Sequence, residues 1–122
     1  MEVHDTHHPI GSGLYYEDQK PESLRRARDF RENRLPKFMD YFERLERGKG
    51  ITYVELSLFQ MIEGLRYAFP RTMQALEPRY PNLVALHERV AERPRLAKYL
   101  GSKRRIAFNR QGIFRHYPEL DA

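Results

Sequence analysis

Apolar positions set the first expectations. Val3, His7, Ile10 and Leu14 follow one another at steps of four, three and four, which places them on one face of a helix. The spacing predicts a first helix over residues 1–16, bent where Pro9 removes a backbone donor and loosened beyond by Gly11 and Gly13. After Lys20 and Pro21, where proline suits a first turn, Leu24, Ala27, Phe30, Leu35, Phe38, Phe42 and Leu45 keep helical spacing as far as Gly48-Lys49-Gly50. This predicts the longest helix, kinked by Pro36 in its interior.

The sharpest local signal follows. Thr52 and Glu55 have the spacing of a capping box, in which each side chain satisfies the other residue's free backbone N–H, and Ile51 with Leu56 supplies a hydrophobic staple. A helix is predicted from Tyr53. Its residues Val54, Leu56, Leu58, Phe59, Met61, Ile62, Leu65, Ala68 and Phe69 leave a polar stripe of Ser57, Gln60 and Glu63, so it reads as the buried central element. Pro70 ends its regular part, and a short helical turn closes at Leu76–Pro78. Pro81 opens a helix with Leu83, Val84, His87, Val90 and Ala91. Pro94 introduces a last one with Leu96, Ala97 and Leu100, stopped by Gly101. No strand pattern of useful length and no repeat interrupts this order. The expected fold is all-α, an irregular helical bundle over residues 1–101 with a tail over 102–122 whose aromatics lie back on it.

At 122 residues, 40% hydrophobic, the chain suits one core. It has no cysteine, which excludes disulfides and thiolate chemistry, and no apolar run approaching the roughly 20 residues that cross a bilayer. A cytoplasmic protein with no membrane partner is expected. The net charge of +5 is spread over interspersed acids and bases, except that Lys103, Arg104, Arg105, Arg110 and Arg115 gather near the end. A basic tail by itself speaks only to non-specific attraction, so a nucleic-acid partner is not expected.

Candidate chemistry is sparse. His4 and His8 lie four apart with His7 between them, a spacing that lets two imidazoles share a helical face, yet nothing completes a ligand set and no metal site is assigned. His7, on the apolar stripe, reads as a hydrogen-bonded core or pocket histidine. Tyr15, Tyr16, Phe108 and Phe114 are candidates for an apolar pocket wall and equally for plain packing. No nucleophile, base and orienter stand together, and no Gly-rich phosphate loop is present.

The Thr52 capping box, Tyr80-Pro81-Asn82-Leu83 and the run Arg89-Val90-Ala91-Glu92-Arg93-Pro94-Arg95-Leu96-Ala97-Lys98-Tyr99-Leu100 together resemble the C-terminal domain of cytosolic glutathione transferases. His4-Asp5-Thr6-His7-His8-Pro9-Ile10, the stretch from Leu14 to Lys20, and Leu35-Pro36-Lys37-Phe38 resemble a bacterial or fungal branch near the sigma-like classes. Where the family more often has Asp, this chain has Glu55. The resemblance implies a domain that walls an electrophile pocket and shares a homodimer interface, with no cofactor and with glutathione as co-substrate. The thioredoxin-like domain that holds glutathione is absent from these residues, so the chain alone is expected to be inactive. Asp5 matches the position of an acidic contact to glutathione, and an acid in a first helical turn also simply suits the helix dipole. The expected substrate-binding positions are Asp5, His8, Tyr15, Phe108 and Phe114. Without the second half, Val3, Ile10 and Leu14 are expected to lose their cover. Two further readings remain: a free-standing helical module for protein assembly, and a basic helical protein associated with nucleic acid.

Overall fold

The computed structural model describes residues 2–11, 13–45 and 53–122, and all regular structure among them is helical. The first segment departs from expectation. Helix α1 covers only Glu2–Asp5, not residues 1–16, and the chain then winds around the buried amide of Gln19. Gln19 Nε2 donates to the carbonyls of His7 (3.4 Å) and Leu14 (3.2 Å), and its Oε1 accepts from Ile10 N–H (3.2 Å). Pro9 has no N–H to continue the ladder, and a side-chain amide takes over the loop's backbone groups. Val3 and His7 still face the core, so Val3 does not lose its cover. Ile10 and Leu14 point outward, 61% and 42% exposed.

The long helix forms as predicted and shows how Pro36 is accommodated. Helix α2 (Lys20–Asp29) passes through a five-residue π turn (Phe30–Arg34) into α3 (Leu35–Leu45). Leu35 N–H bonds to Phe30 C=O, five residues back, widening the turn immediately before the proline. Ala27, Phe30, Leu35 and Met39 are thereby buried along one side.

Helix α4 (Tyr53–Ala68) lies against α6 (Pro81–Ala91), and its Leu58, Phe59, Ile62 and Leu65 are buried. Its polar stripe is not where composition put it. Val54, Leu56 and Met61 are exposed, whereas the carboxylate of Glu55 is buried with Arg89 Nη2 3.3 Å away, and Glu63 is half-buried. The Thr52 half of the capping box lies outside the described residues.

Helices α5 (Pro70–Leu76), α6 and α7 (Pro94–Leu100) each begin at a proline, and a 3₁₀ turn at Glu77–Arg79 joins the first two. Carboxylates from far along the chain close the first turns of α5 and α6. Glu43 Oε1 and Oε2 accept from the N–H groups of Asn82 (2.8 Å) and Leu83 (2.9 Å). Asp121, in the 3₁₀ turn Pro118–Asp121, accepts from Arg71 N–H (2.7 Å), Thr72 N–H (3.0 Å) and Thr72 Oγ1 (2.6 Å). The tail does lie back on the bundle, and its final turn enters the core through Leu120 and Asp121, which are both buried.

Asp121 is therefore a test of whether the last turn belongs to the fold. Replacing it with Ala removes the acceptor that three donors share at the part-exposed start of α5, and Asp121→Ala is expected to cost about 1–2 kcal/mol in urea denaturation. A loss below about 0.5 kcal/mol would mean that this cap is not made in solution.

Candidate functional site

Two of the four candidate wall residues, Phe108 and Phe114, meet on one face of α4. Gly64 is the reason. A Cβ built there would lie 2.3 Å from Phe114 Cε1, far inside contact distance, so the Phe114 ring rests directly on the helix backbone. Phe108 stacks on Tyr67 (centroids 5.1 Å apart, planes 18° apart) and meets Phe114 edge-on at 5.9 Å. His116 Nδ1 lies 3.1 Å from Ala68 C=O, extending the seam to the end of the helix. Beside it, Leu56, Phe59, Leu96, Tyr99, Ile106 and Phe108 line a cleft of about 270 Å³.

A polar chain underlies this seam. Arg105 Nη2 donates to Glu63 Oε2 (2.8 Å), and Glu63 Oε1 is 2.6 Å from His87 Nε2. The His87 ring stacks on Phe59 at 4.7 Å, and Arg66, adjacent to it, forms a two-point pair with Glu77 at 2.6 and 3.2 Å. Burial pushes the Glu63 carboxyl up, but bonds from His87 and Arg105 outweigh it and hold the carboxyl below its ordinary value. The arrangement ties the tail to α4 and α6. Both Glu63 oxygens are engaged, and among the described residues no hydroxyl is hydrogen-bonded to His87 as a nucleophile would be.

Asp5 and His8 belong to the N-terminal segment, which meets the tail at Ile113 through His7. The rings of His4, His7 and His8 pack within 5.1 Å of one another. Asp5 is partly exposed, 3.6 Å from His4 Nδ1 and 4.0 Å from Arg26. His8 stacks on His4, with its Nδ1 3.1 Å from Leu14 C=O. His7 Nε2 lies 3.0 Å from Ile113 C=O, so the nitrogen carries the hydrogen and donates it, and burial pulls the imidazole down to about 4. Among the described residues no three His, Asp or Glu side chains are grouped to hold a metal ion. Tyr15 is placed apart from the other candidates, 79% exposed, with its backbone N–H on Asp18 Oδ2. Tyr16, by contrast, is buried and donates to Glu119 Oε1 at 2.5 Å, which with burial raises its hydroxyl well above the ordinary tyrosine value.

The structure thus brings Phe108 and Phe114 together, sets Asp5 and His8 in a separate histidine cluster joined to them through the tail, and leaves Tyr15 outside both. Sequence reasoning missed Gly64, although a glycine in the middle of an otherwise strong helix is a signal of close approach. It also missed an apolar cleft of about 320 Å³ between α1, α3 and α4, lined by Phe30, Phe38, Met39, Met61 and Leu65. The polar residue on its rim, Glu2, is clamped by Arg34 at 2.8 Å.

Residues 4–103 match the family profile described as the glutathione S-transferase C-terminal domain. The chain belongs to this family. The match takes in every helix from α2 to α7 and stops short of Phe108 and Phe114, so the aromatic seam rests on the structure alone. No curated protein matches the chain significantly. As in the sequence expectation for a glutathione S-transferase C-terminal domain, the fold is all-α, its regular structure helical among the described residues.

Two measurements probe this site. Gly to Ala inside a helix ordinarily stabilises by about 0.5–1 kcal/mol, but here the methyl collides with an aromatic ring. Gly64→Ala is expected to lift Phe114 away, so that trypsin cuts at Arg110 and Arg115 faster than in the parent while the helical circular dichroism is kept. A more stable, equally resistant variant would mean that the ring does not sit there. For His7, the unfolded chain takes up a proton near pH 6.5 and the folded chain only near 4. Stability is therefore full above about pH 6.5 and falls as pH drops toward 4, by about 3 kcal/mol at most from this group. His7→Gln, which keeps a donor for Ile113, should flatten that part of the profile; an unchanged slope would place the titration elsewhere.

Proposed function

We propose that this chain is the helical half of a glutathione transferase of a sigma-like branch, which supplies the apolar wall against which an electrophile rests and part of a homodimer interface. The observation that carries this reading is the aromatic seam of Tyr67, Phe108 and Phe114 beside an apolar cleft, where among the described residues no nucleophile and base are arranged to react. Such a wall binds flat or alkyl electrophiles without activating anything. Activation of the glutathione thiol falls to a thioredoxin-like domain, and the chain takes part in cytoplasmic detoxification only together with one. Asp5 and His8 are the positions offered toward glutathione. The larger cleft, flanked by the exposed Phe38 and Met61, supports the dimer contact and equally suits the second reading, a free-standing helical module for protein assembly.

The test separates these roles. The 122-residue chain alone is expected to show no conjugation of glutathione to a general aromatic electrophile and no retention on immobilised glutathione. Fused behind the thioredoxin-like domain of a sigma-like enzyme, it should give turnover, and Phe108→Ala should raise the electrophile KM about tenfold with a smaller change in kcat. Turnover by the chain alone, or a fused enzyme indifferent to Phe108, would overturn the assignment.

A further inference from the structure

The positive charge of this protein is not spread over its surface. Eight of the 22 Lys and Arg residues, and none of the 17 Asp and Glu, lie between Arg93 and Pro118, so the rest of the chain is net acidic. Arg105 is committed to Glu63, but Arg93, Arg95, Lys98, Lys103 and Arg104 are exposed, and among the described residues none is in a salt bridge. Helix α7 gathers them. Arg95, Lys98, Tyr99, Ser102 and Arg104 line one shallow cleft, and Arg93, Arg95 and Leu96 line its neighbour.

Apolar side chains stand among these cations. Ile106 follows Lys103-Arg104-Arg105 and is 85% exposed, the most exposed large hydrophobic side chain described. Tyr99 is 45% exposed and belongs both to the cationic cleft and to the one that Ile106 lines. Cations that share a cleft with an exposed Tyr99, beside an exposed Ile106, match the two layers of a lipid surface, with anionic headgroups for the cations and the acyl boundary for the apolar tips. A duplex nucleic acid would use the cations and waste the isoleucine, because phosphate contacts do not need an aliphatic tip.

We propose that the α7 face is a docking surface for membranes rich in anionic phospholipid, bound peripherally through its cations and anchored by Ile106 and Tyr99. This departs from the sequence expectation of no membrane partner, and it concerns adsorption, since no described helix is long and apolar enough to cross a bilayer. It does not rest on the proposed catalytic role, although Tyr99 and Ile106 also line the cleft beside the aromatic seam.

Co-sedimentation of the full chain with vesicles decides it. Binding is expected to vesicles of phosphatidylcholine mixed with phosphatidylserine, about tenfold or more stronger than to phosphatidylcholine alone, and to be released by salt near 0.5 M as surface charge is screened. Lys98→Glu with Arg104→Glu should remove most of it. Ile106→Asp, at a position 85% exposed and so with little packing to lose, should weaken it about tenfold with little change in the thermal melt. No preference for the anionic vesicles would overturn the proposal. So would full binding by Ile106→Asp, or tighter binding to duplex DNA or RNA than to the vesicles, either of which would make the patch a polyanion site without a lipid anchor.

Discussion

Helix α4 carries no side chain at residue 64, and the C-terminal tail is placed by that gap. With Phe114 lying on bare backbone, the residues on either side fall into register: Ile113 presents its carbonyl to His7, and His116 reaches Ala68. Further on, Tyr117 stacks on Tyr16 at 3.8 Å, Glu119 takes the Tyr16 hydroxyl, and Asp121 closes the first turn of α5. The tail thus holds the N-terminal loop and the helix after the core helix in one cluster. A side chain at position 64 would push on all of these contacts together, because in close-packed interiors strain is passed on and not absorbed locally.

Prolines make the second constraint. Each of α5, α6 and α7 starts at one, which fixes the backbone for a helix and spends none of the donors an interior position would need. The following N–H groups still point into the protein, and for α5 and α6 the acceptors come from Asp121 and Glu43. Local sequence thus decides where these helices begin, and tertiary contacts decide how they are completed.

This division explains what was legible beforehand. The breaks at Pro70, Pro81, Pro94 and Gly101, and the departure from regular α-helix just before Pro36, are written in single residues whose backbone effects are local. The helical family resemblance was readable for the same reason, since its motifs sit on these helices. The first segment was misread because periodicity counts side chains and not donors: Val3 and His7 keep the period, but a buried amide from Gln19 outcompetes the helix after Asp5. The site was half legible. Phe108 and Phe114 announced themselves by size in a tail without period, whereas their meeting depends on Gly64 and Arg105, whose roles appear only when residues some 40 to 50 apart are brought together.

The use of acids inside the fold accounts for the character of the outside. Glu43 and Asp121 finish helix starts, Glu55 lies beneath Arg89, and Glu63 is shared by His87 and Arg105, so several carboxylates are withdrawn from the surface by structural work. A carboxylate accepting such bonds has little capacity left to neutralise a neighbour across the solvent. The segment from Arg93 to Pro118 contains no acid of its own, and the one partner its Arg105 obtains comes from α4. Its other exposed cations keep their field, and the field is concentrated on α7 because that helix and the turn after it are where the basic residues are closest together. The basic face is the outward consequence of how the acidic residues are used within.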